Sequence, residues 1–276
     1  MQGRRLFIAV GLITFAVATG PCVSSAQVSL APVTASGQTA NPAFEGWYRN
    51  PDGTFSLSFG YFNRNASEIL SIPTGPDNFF SPGDSNRGQP TYFYPRRHWG
   101  VFAVTVPADF GEQRVVWTLK IRGKSFAIPG SLHRDWQIDA LEGEAGSDNT
   151  PPTLRFDESG PEARGPAGVT VDRSATVGQP ITIAVVARDD GKSAGVVKGG
   201  VPVSLAWFTH QGPSQVTFGT PITQLTPTGG TASTTATFSR PGDYIVRVRA
   251  TDSAVATAGH AQCCWTNAFV KVRVTP

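Results

Sequence analysis

Cysteine, methionine, long apolar runs and unbalanced charge are all scarce in this sequence. Three cysteines and one methionine occur in 276 residues, too few cysteines to staple two domains, and the length is ample for cores that need no staples. Lys and Arg total 23 against 20 Asp and Glu, a formal charge of +3, which gives little electrostatic attraction to nucleic acid. No apolar stripe at helical spacing appears, so the helical fold classes are set aside. Gly-x-Ser-x-Gly and His-Glu-x-x-His are both missing, and with them the common signatures of hydrolases and zinc peptidases. Neither EF-hand spacing nor an Asp-x-Asp-x-Asp series is present, and no cofactor is expected.

The one long apolar run is Leu6 to Ala18, preceded by Arg4 and Arg5 and followed by Ser24-Ser25-Ala26. It is short for a membrane span and no second candidate follows, so residues 1–26 read as a secretory signal peptide cleaved before Gln27. Pro21 stands where a lipoprotein signal needs a small residue before Cys22, which argues against lipidation. Losing Arg4 and Arg5 takes the formal charge from +3 to +1. The mature chain is then secreted (periplasmic, cell-surface or extracellular) without a transmembrane segment. Its remaining cysteines, Cys263 and Cys264, meet oxidising conditions. Consecutive Cα atoms across a trans peptide lie ~3.8 Å apart, below the usual disulfide span of about 4.4–6.8 Å. A bond between these two would lock a tight turn.

What the sequence does have is strand alternation, glycine, proline and aromatics. Tyr244, Val246, Val248 and Ala250 share one face, and Ile245, Arg247 and Arg249 the other, the period of a half-buried strand. Ala268, Val270, Val272 and Val274 repeat the pattern, as do Ala232, Thr234, Ala236 and Phe238. Pro241-Gly242-Asp243 is a turn between strands. Upstream, Ile181, Ile183, Val185 and Ala187 form a strand that Asp189-Asp190-Gly191 ends, and Val203, Leu205 and Trp207 begin another. In the first half, Asn50-Pro51-Asp52-Gly53 is a turn leading into Phe55, Leu57, Phe59 and Tyr61. Further strands are expected at Glu68–Ile72, Tyr92–Tyr94, Val101–Val106, Val115–Arg122, Phe126–Ile128 and Trp136–Ile138, with a long loop at Thr74–Pro90. The reading is all-β: a β-sandwich over 41–142, a linker rich in Gly, Pro and acidic residues over 143–168, and an immunoglobulin-like sandwich over 169–276.

The ordered set Trp207, Gly212-Pro213, Val216-Thr217-Phe218, Ala236-Thr237-Phe238, Pro241-Gly242-Asp243-Tyr244 and Arg249-Ala250-Thr251-Asp252 resembles a PKD-type, immunoglobulin-like domain. Such domains are spacers or binding modules of secreted proteins, so the resemblance implies architecture and location but no reaction. The run from Gly46 to Thr54, with Gly60–Asn65 and Gly88-Gln89-Pro90-Thr91, resembles a segment of uncharacterised secreted bacterial proteins that precedes a sandwich ending in Cys-Cys-Trp. No activity comes with either resemblance.

Several groups are chemically suggestive, and each has a plainer reading. Cys263-Cys264-Trp265, with His260 close by, suits a redox pair, a soft metal site or a rigid binding plate. The plain reading is a structural turn, since adjacent cysteines chelate one tetrahedral ion poorly. Asp189, Asp190, Asp243 and Asp252 lie at strand ends, where sandwiches sometimes gather calcium; otherwise they are solvated turn residues. Gly130-Ser131-Leu132-His133 with Asp135 supplies the residue types of a triad, but too locally for its geometry. Trp47, Tyr48, Arg49, Tyr92, Tyr94, Arg96, Arg97 and Trp99 combine aromatic faces with guanidinium groups, as carbohydrate- or protein-binding surfaces do; the alternative is core packing. Arg247, Arg249, Lys271 and Arg273 read as a solvated basic stripe, and Asn65-Ala66-Ser67 fits the glycosylation pattern. The functional expectation is a non-catalytic binding or structural module, its partner a carbohydrate or an envelope protein. The alternative is a redox or metal-binding protein, or an accessory to a secreted enzyme, using Cys263 and Cys264.

Overall fold

Nearly every segment with strand-like alternation pairs into a sheet in the computed structural model, which describes residues 33–144, 147–192, 200–252 and 263–276. The expected signal peptide, Cys22 and His260 lie outside those residues. The first half contains β1 (Ala40–Arg49), β2 (Phe55–Asn63), β3 (Leu70–Ser71), β4 (Asn78–Ser81), β5 (Tyr92–Phe93), β6 (Arg96–Val106), β7 (Val115–Ile121) and β8 (Lys124–Gly130). β1, β2 and β6 form one antiparallel sheet, β4, β7 and β8 a second, and β3 with β5 a short ladder. Between the two larger sheets the ring of Phe59 lies 5.3 Å from Phe80, 5.6 Å from Phe102 and 6.1 Å from Trp117. Trp117 is fully buried, so its indole N–H needs a partner, and it donates to Asn78 Oδ1 at 2.9 Å.

Asn78 in turn donates to the carbonyls of Ile72 and Pro90 at 2.9 and 2.8 Å. That amide pins the expected long loop at 74–90, which contains β4 and is not structureless. β7 and β8 are joined by Arg122-Gly123, both at positive φ (51° and 72°), the two-residue turn whose twist suits a hairpin. Trp136–Ile138, expected as a strand, instead follows a 3₁₀ turn over Arg134–Trp136; Ile138 then donates its N–H to Trp47 O at 2.8 Å. Asn65 is fully buried, its amide donating to Gln38 O and Asn63 Oδ1, so a glycan on that amide is incompatible with this packing.

The second half contains β9 (Thr153–Arg155), β10 (Val169–Thr176), β11 (Ile181–Arg188), β12 (Ser204–Gln211), β13 (Thr217–Phe218), β14 (Ile222–Gln224), β15 (Gly229–Thr237), β16 (Gly242–Thr251) and β17 (Trp265–Thr275). The sheets run in the order β10-β17-β16-β12-β14 and β13-β15-β11-β9. β10 is parallel to β17, with Val169 opposite Ala268, and the other pairs are antiparallel. The alternating residues of β16 and β17 meet Ile183, Val185, Ala187, Ala232, Ala236 and Phe238 in one core. Tyr244, near the start of β16, donates its hydroxyl to Arg240 O at 2.9 Å, and Trp207 on β12 is buried. That tyrosine corner and strand-C tryptophan are hallmarks of an immunoglobulin-like sandwich. Part of the 143–168 stretch expected as linker belongs to this sandwich: β9 pairs with β11, and Leu154 is fully buried in its core.

Replacing Tyr244 by Phe removes the corner hydrogen bond and is expected to cost about 1 kcal/mol. Trp117→Ala, which empties the centre of the first core, should cost about 3–5 kcal/mol. Urea unfolding of each variant checks both values.

Candidate functional site

The aromatic and basic residues of the first half converge on β6, whose opening run is Arg96-Arg97-His98-Trp99-Gly100. Gly60 on β2 leaves room for a carboxylate there: a Cβ at that position would stand 2.1 Å from Glu45 Oε1 and 2.3 Å from His98 O. Glu45 fills the space, accepting the Gly100 N–H at 2.7 Å and pairing with Arg97 at 2.6 Å. Burial pushes its carboxyl up to about 7, with Arg97 and the Gly100 amide pulling the other way.

Directly against this layer lies the outer face of β12, β16 and β17. Arg247, expected in a solvated stripe, retains 1% of its surface. Its guanidinium sits 4.5 Å from the Phe208 ring centroid and donates to Asn267 Oδ1 at 3.2 Å. Asn267 passes the contact on, donating to Gly100 O at 2.6 Å and Pro166 O at 3.0 Å. Tyr94 and His98 meet the same Phe208 ring at 5.1 and 5.7 Å, and His98 stacks on Tyr61 at 5.0 Å. Hydrogen bonds stitch the edges: Thr209 N to Tyr94 Oη at 2.9 Å, Thr91 N to His210 O at 2.8 Å, and His210 Nε2 to Gly88 O at 2.7 Å. A Cβ on Gly100 (φ 47°) would come within 2.2 Å of Trp265 Nε1, so glycine permits the approach of the two halves.

Burial lowers Arg247 to about 10, which leaves it a cation at neutral pH, and lowers His98 and His210 to about 3, helped by the charge of Arg247. Only Lys271 and Arg273 of the expected stripe are exposed, Arg249 being partly covered beside Phe208.

The eight residues singled out as a recognition surface are therefore divided. Tyr94 belongs to the joint, Arg97 is paired with Glu45 within the first half, Tyr92 is buried, and Tyr48 accepts the Ala167 N–H at 2.9 Å. Trp47 is edge-on to Phe55 and donates to His133 O at 2.8 Å. Trp99 lies under the Arg97 guanidinium at 5.0 Å, and Arg96 over Phe62 at 5.3 Å. Arg49 is exposed and, with Tyr48, lines a groove of about 610 Å³ bounded by Asp52, Gln137, Glu162 and Arg164. Glu45 and Phe208 carry no pattern in the sequence that marks them, and Arg247 is expected there only as part of a solvated stripe. Asn267 is marked only as an asparagine inside the apolar run Trp265–Val270.

Cys263 and Cys264 are bonded to each other and retain 2% and 1% of their surface beneath Ala140, each Sγ 3.7 Å from Asn149 O. Trp265 is buried in the joint, which leaves no open plate at this motif. His133 Nδ1 lies 3.6 Å from Asp135 on an exposed turn. Asp243 pairs with Arg273 at 3.3 Å. Asp189, at the end of β11, and Asp252, just after β16, approach one another beside Asn149, whereas Asp190 is turned to Thr150 at 3.1 Å. Among the described residues no group of three His, Cys, Asp or Glu side chains is placed to hold a metal.

No protein-family model matches the sequence, and no curated protein does either. Among solved structures, domains 4 and 5 of the S-layer protein SbsC align at 13% identity over 86% of this chain and 98% of that one, with a TM-score of 0.25. The D0-D1 domain of intimin aligns at 13% over 85% and 97%, TM-score 0.25, and its D00-D0 domain at 11% over 86% and 100%, TM-score 0.27. Superpositions this weak leave the fold argument with the strands themselves.

Two outcomes test the joint. Gly100→Ala, crowding Trp265 at a positive φ, should destabilise by about 1–3 kcal/mol. Because His98 and His210 have folded pKa values below their usual 6.5, the unfolded chain binds more protons below that pH. Their stabilisation is complete above 6.5 and is lost as pH falls toward about 3. Glu45, raised to about 7, runs oppositely, stabilising at low pH and losing its share as pH rises. His210→Gln should therefore lose less stability than the parent between about pH 6.5 and 4, measured by urea melts at each pH.

Proposed function

We propose that this chain is an exported, non-catalytic structural module, two β bodies held as one stiff unit that spaces or supports other components of the cell envelope or extracellular space. The supporting observation is the joint around Arg247 and Phe208. It occupies Tyr94 and His98, groups that would otherwise be available to a ligand, while Glu45 holds Arg97. No helix among the described residues is long and apolar enough to cross a membrane. Burial of both sulfurs and their bond to one another argue against thiol chemistry at Cys263-Cys264.

A second reading, recognition of a carbohydrate or an envelope protein, is favoured by the groove of about 610 Å³ at Tyr48 and Arg49, a size within the usual range of ligand sites. Retention of a glycan on an array, lost on Arg49→Ala, would support it.

The stiff-module reading predicts one cooperative unfolding transition for the whole chain. It also predicts a narrow distance distribution between spin labels placed one on each half, for instance at Lys124 and Lys271, both exposed. Two separate transitions, or a broad distribution, would overturn it.

A further inference from the structure

The end of the second sandwich beside the cysteine pair carries an electrostatic problem that the polypeptide alone leaves open. Asp252 follows β16 and retains none of its surface, and among the described residues neither of its carboxylate oxygens has a hydrogen-bond partner of regular geometry. Asn149, on the segment entering the sandwich, is likewise fully buried with neither amide atom hydrogen-bonded. It faces the Asp252 carboxylate closely enough to make it more acidic, without closing a bond of regular geometry. Asp189, at the end of β11, uses Oδ2 to accept the Gly191 N–H at 2.8 Å, while its buried Oδ1 is unpartnered.

An unpaired buried polar atom is uncommon and costs about 1–3 kcal/mol, more when charged. Here Asp252, Asn149 and Asp189 contribute four such oxygens at one strand end. Their neighbours do not resolve the deficit. Lys192 is engaged by Asp148 at 2.8 Å, and Asp190 by Thr150 and the Lys192 N–H. Arg164 acts on Asp189 only as the weakest of the influences on it, and Asp189 and Asp190 both repel Asp252. The backbone around the site is otherwise satisfied: Asn149 O accepts the Glu144 N–H at 2.8 Å, and Asp252 N donates to Cys264 O at 3.4 Å.

From this we infer that Asp252, Asp189 and Asn149 form a binding site for a hard divalent cation, calcium by preference, at the junction of the entering segment with β11 and β16. Two carboxylates match the charge of the ion. Every unpartnered acceptor is oxygen, the donor type calcium takes in sets of 6–8 with water completing the shell. The two sulfurs beneath are bonded to each other and so supply no thiolate, which disfavours zinc or copper. The ion would tie Asn149 to the ends of two strands from opposite sheets. Burial first, and then the Asp189 charge, push the Asp252 carboxyl up to about 7.

Calorimetric titration of calcium chloride, and separately magnesium chloride, into the chelator-stripped full chain tests the site, together with thermal melts in calcium and in EGTA. Expected are one calcium per chain, a higher Tm in calcium than in EGTA, and weaker binding of magnesium, which demands a tighter octahedral shell. Asp252→Asn should weaken calcium binding by about tenfold or more while raising the Tm of the metal-free chain, because it removes an unpaired buried charge. Should that variant fail to fold, Asn149→Ala must also weaken calcium binding. Identical melts in calcium and EGTA, with no heat at about millimolar calcium, would mean that a proton alone occupies the site. Undiminished binding in both variants would place the ion elsewhere, and magnesium binding as tightly as calcium would remove the assigned preference.

Discussion

A guanidinium group shut away from water between two sheets is the constraint on which the arrangement of this molecule turns. Taking a charge that size out of water costs several kcal/mol unless the surroundings supply partners. Arg247 finds few, and directly only in its own half: the Phe208 face for its delocalised charge and Asn267 for an N–H, with the Gly100 carbonyl of the other half reached through Asn267 and its Nε left without a partner. Those contacts exist in one register only, because Gly100 has no side chain to hold Trp265 off and Gly60 has none to displace Glu45. The aromatic area buried around Phe208 supplies attraction. The charge and its few partners dictate which orientation that attraction selects.

This arrangement bears directly on function. A tyrosine whose hydroxyl is committed to the other half of its own chain, as Tyr94 is to Thr209, is not free to grip a ligand, so part of the aromatic stretch becomes mortar. Open grooves lie at the periphery, one at Tyr48 and Arg49 and one along Ser131, His133 and Asp135, while Asp252 and Asn149 are buried at a strand end without regular hydrogen-bond partners among the described residues. Burial, helped by the Arg247 charge, keeps His98 and His210 neutral, and His210 Nε2 bonds to Gly88 O across the joint.

Much of the second sandwich was readable directly. The alternation in β16 and β17 and the positions of Tyr244 and Trp207 are local patterns that reappear as drawn, whereas the Pro-Gly-Asp turn falls earlier, Gly242 and Asp243 already pairing with Val274 and Arg273 in β16. The reading failed where a contact is distant in sequence. Arg247 and Arg249 were separated correctly from Val246 and Val248, yet alternation cannot say whether the second face meets water or another sheet. β9 was hidden because three residues give no periodicity, and its place in the core rests on pairing with β11. β4 escaped in the same way, inside a stretch rich in glycine and proline that Asn78 holds together.

By itself, then, the order of residues determined that the chain forms pleated strands, which side chains share each face, and where many of the strands turn, since all three follow from steric preferences within a few residues. Tertiary structure alone decided which of two equally alternating faces became interior, which aromatics met across the joint, and which acids were left without donors. Those outcomes depend on groups more than a hundred positions apart, as Gly100 and Asn267 are, and only the closing of the chain in space can bring such groups together and strip the water from between them.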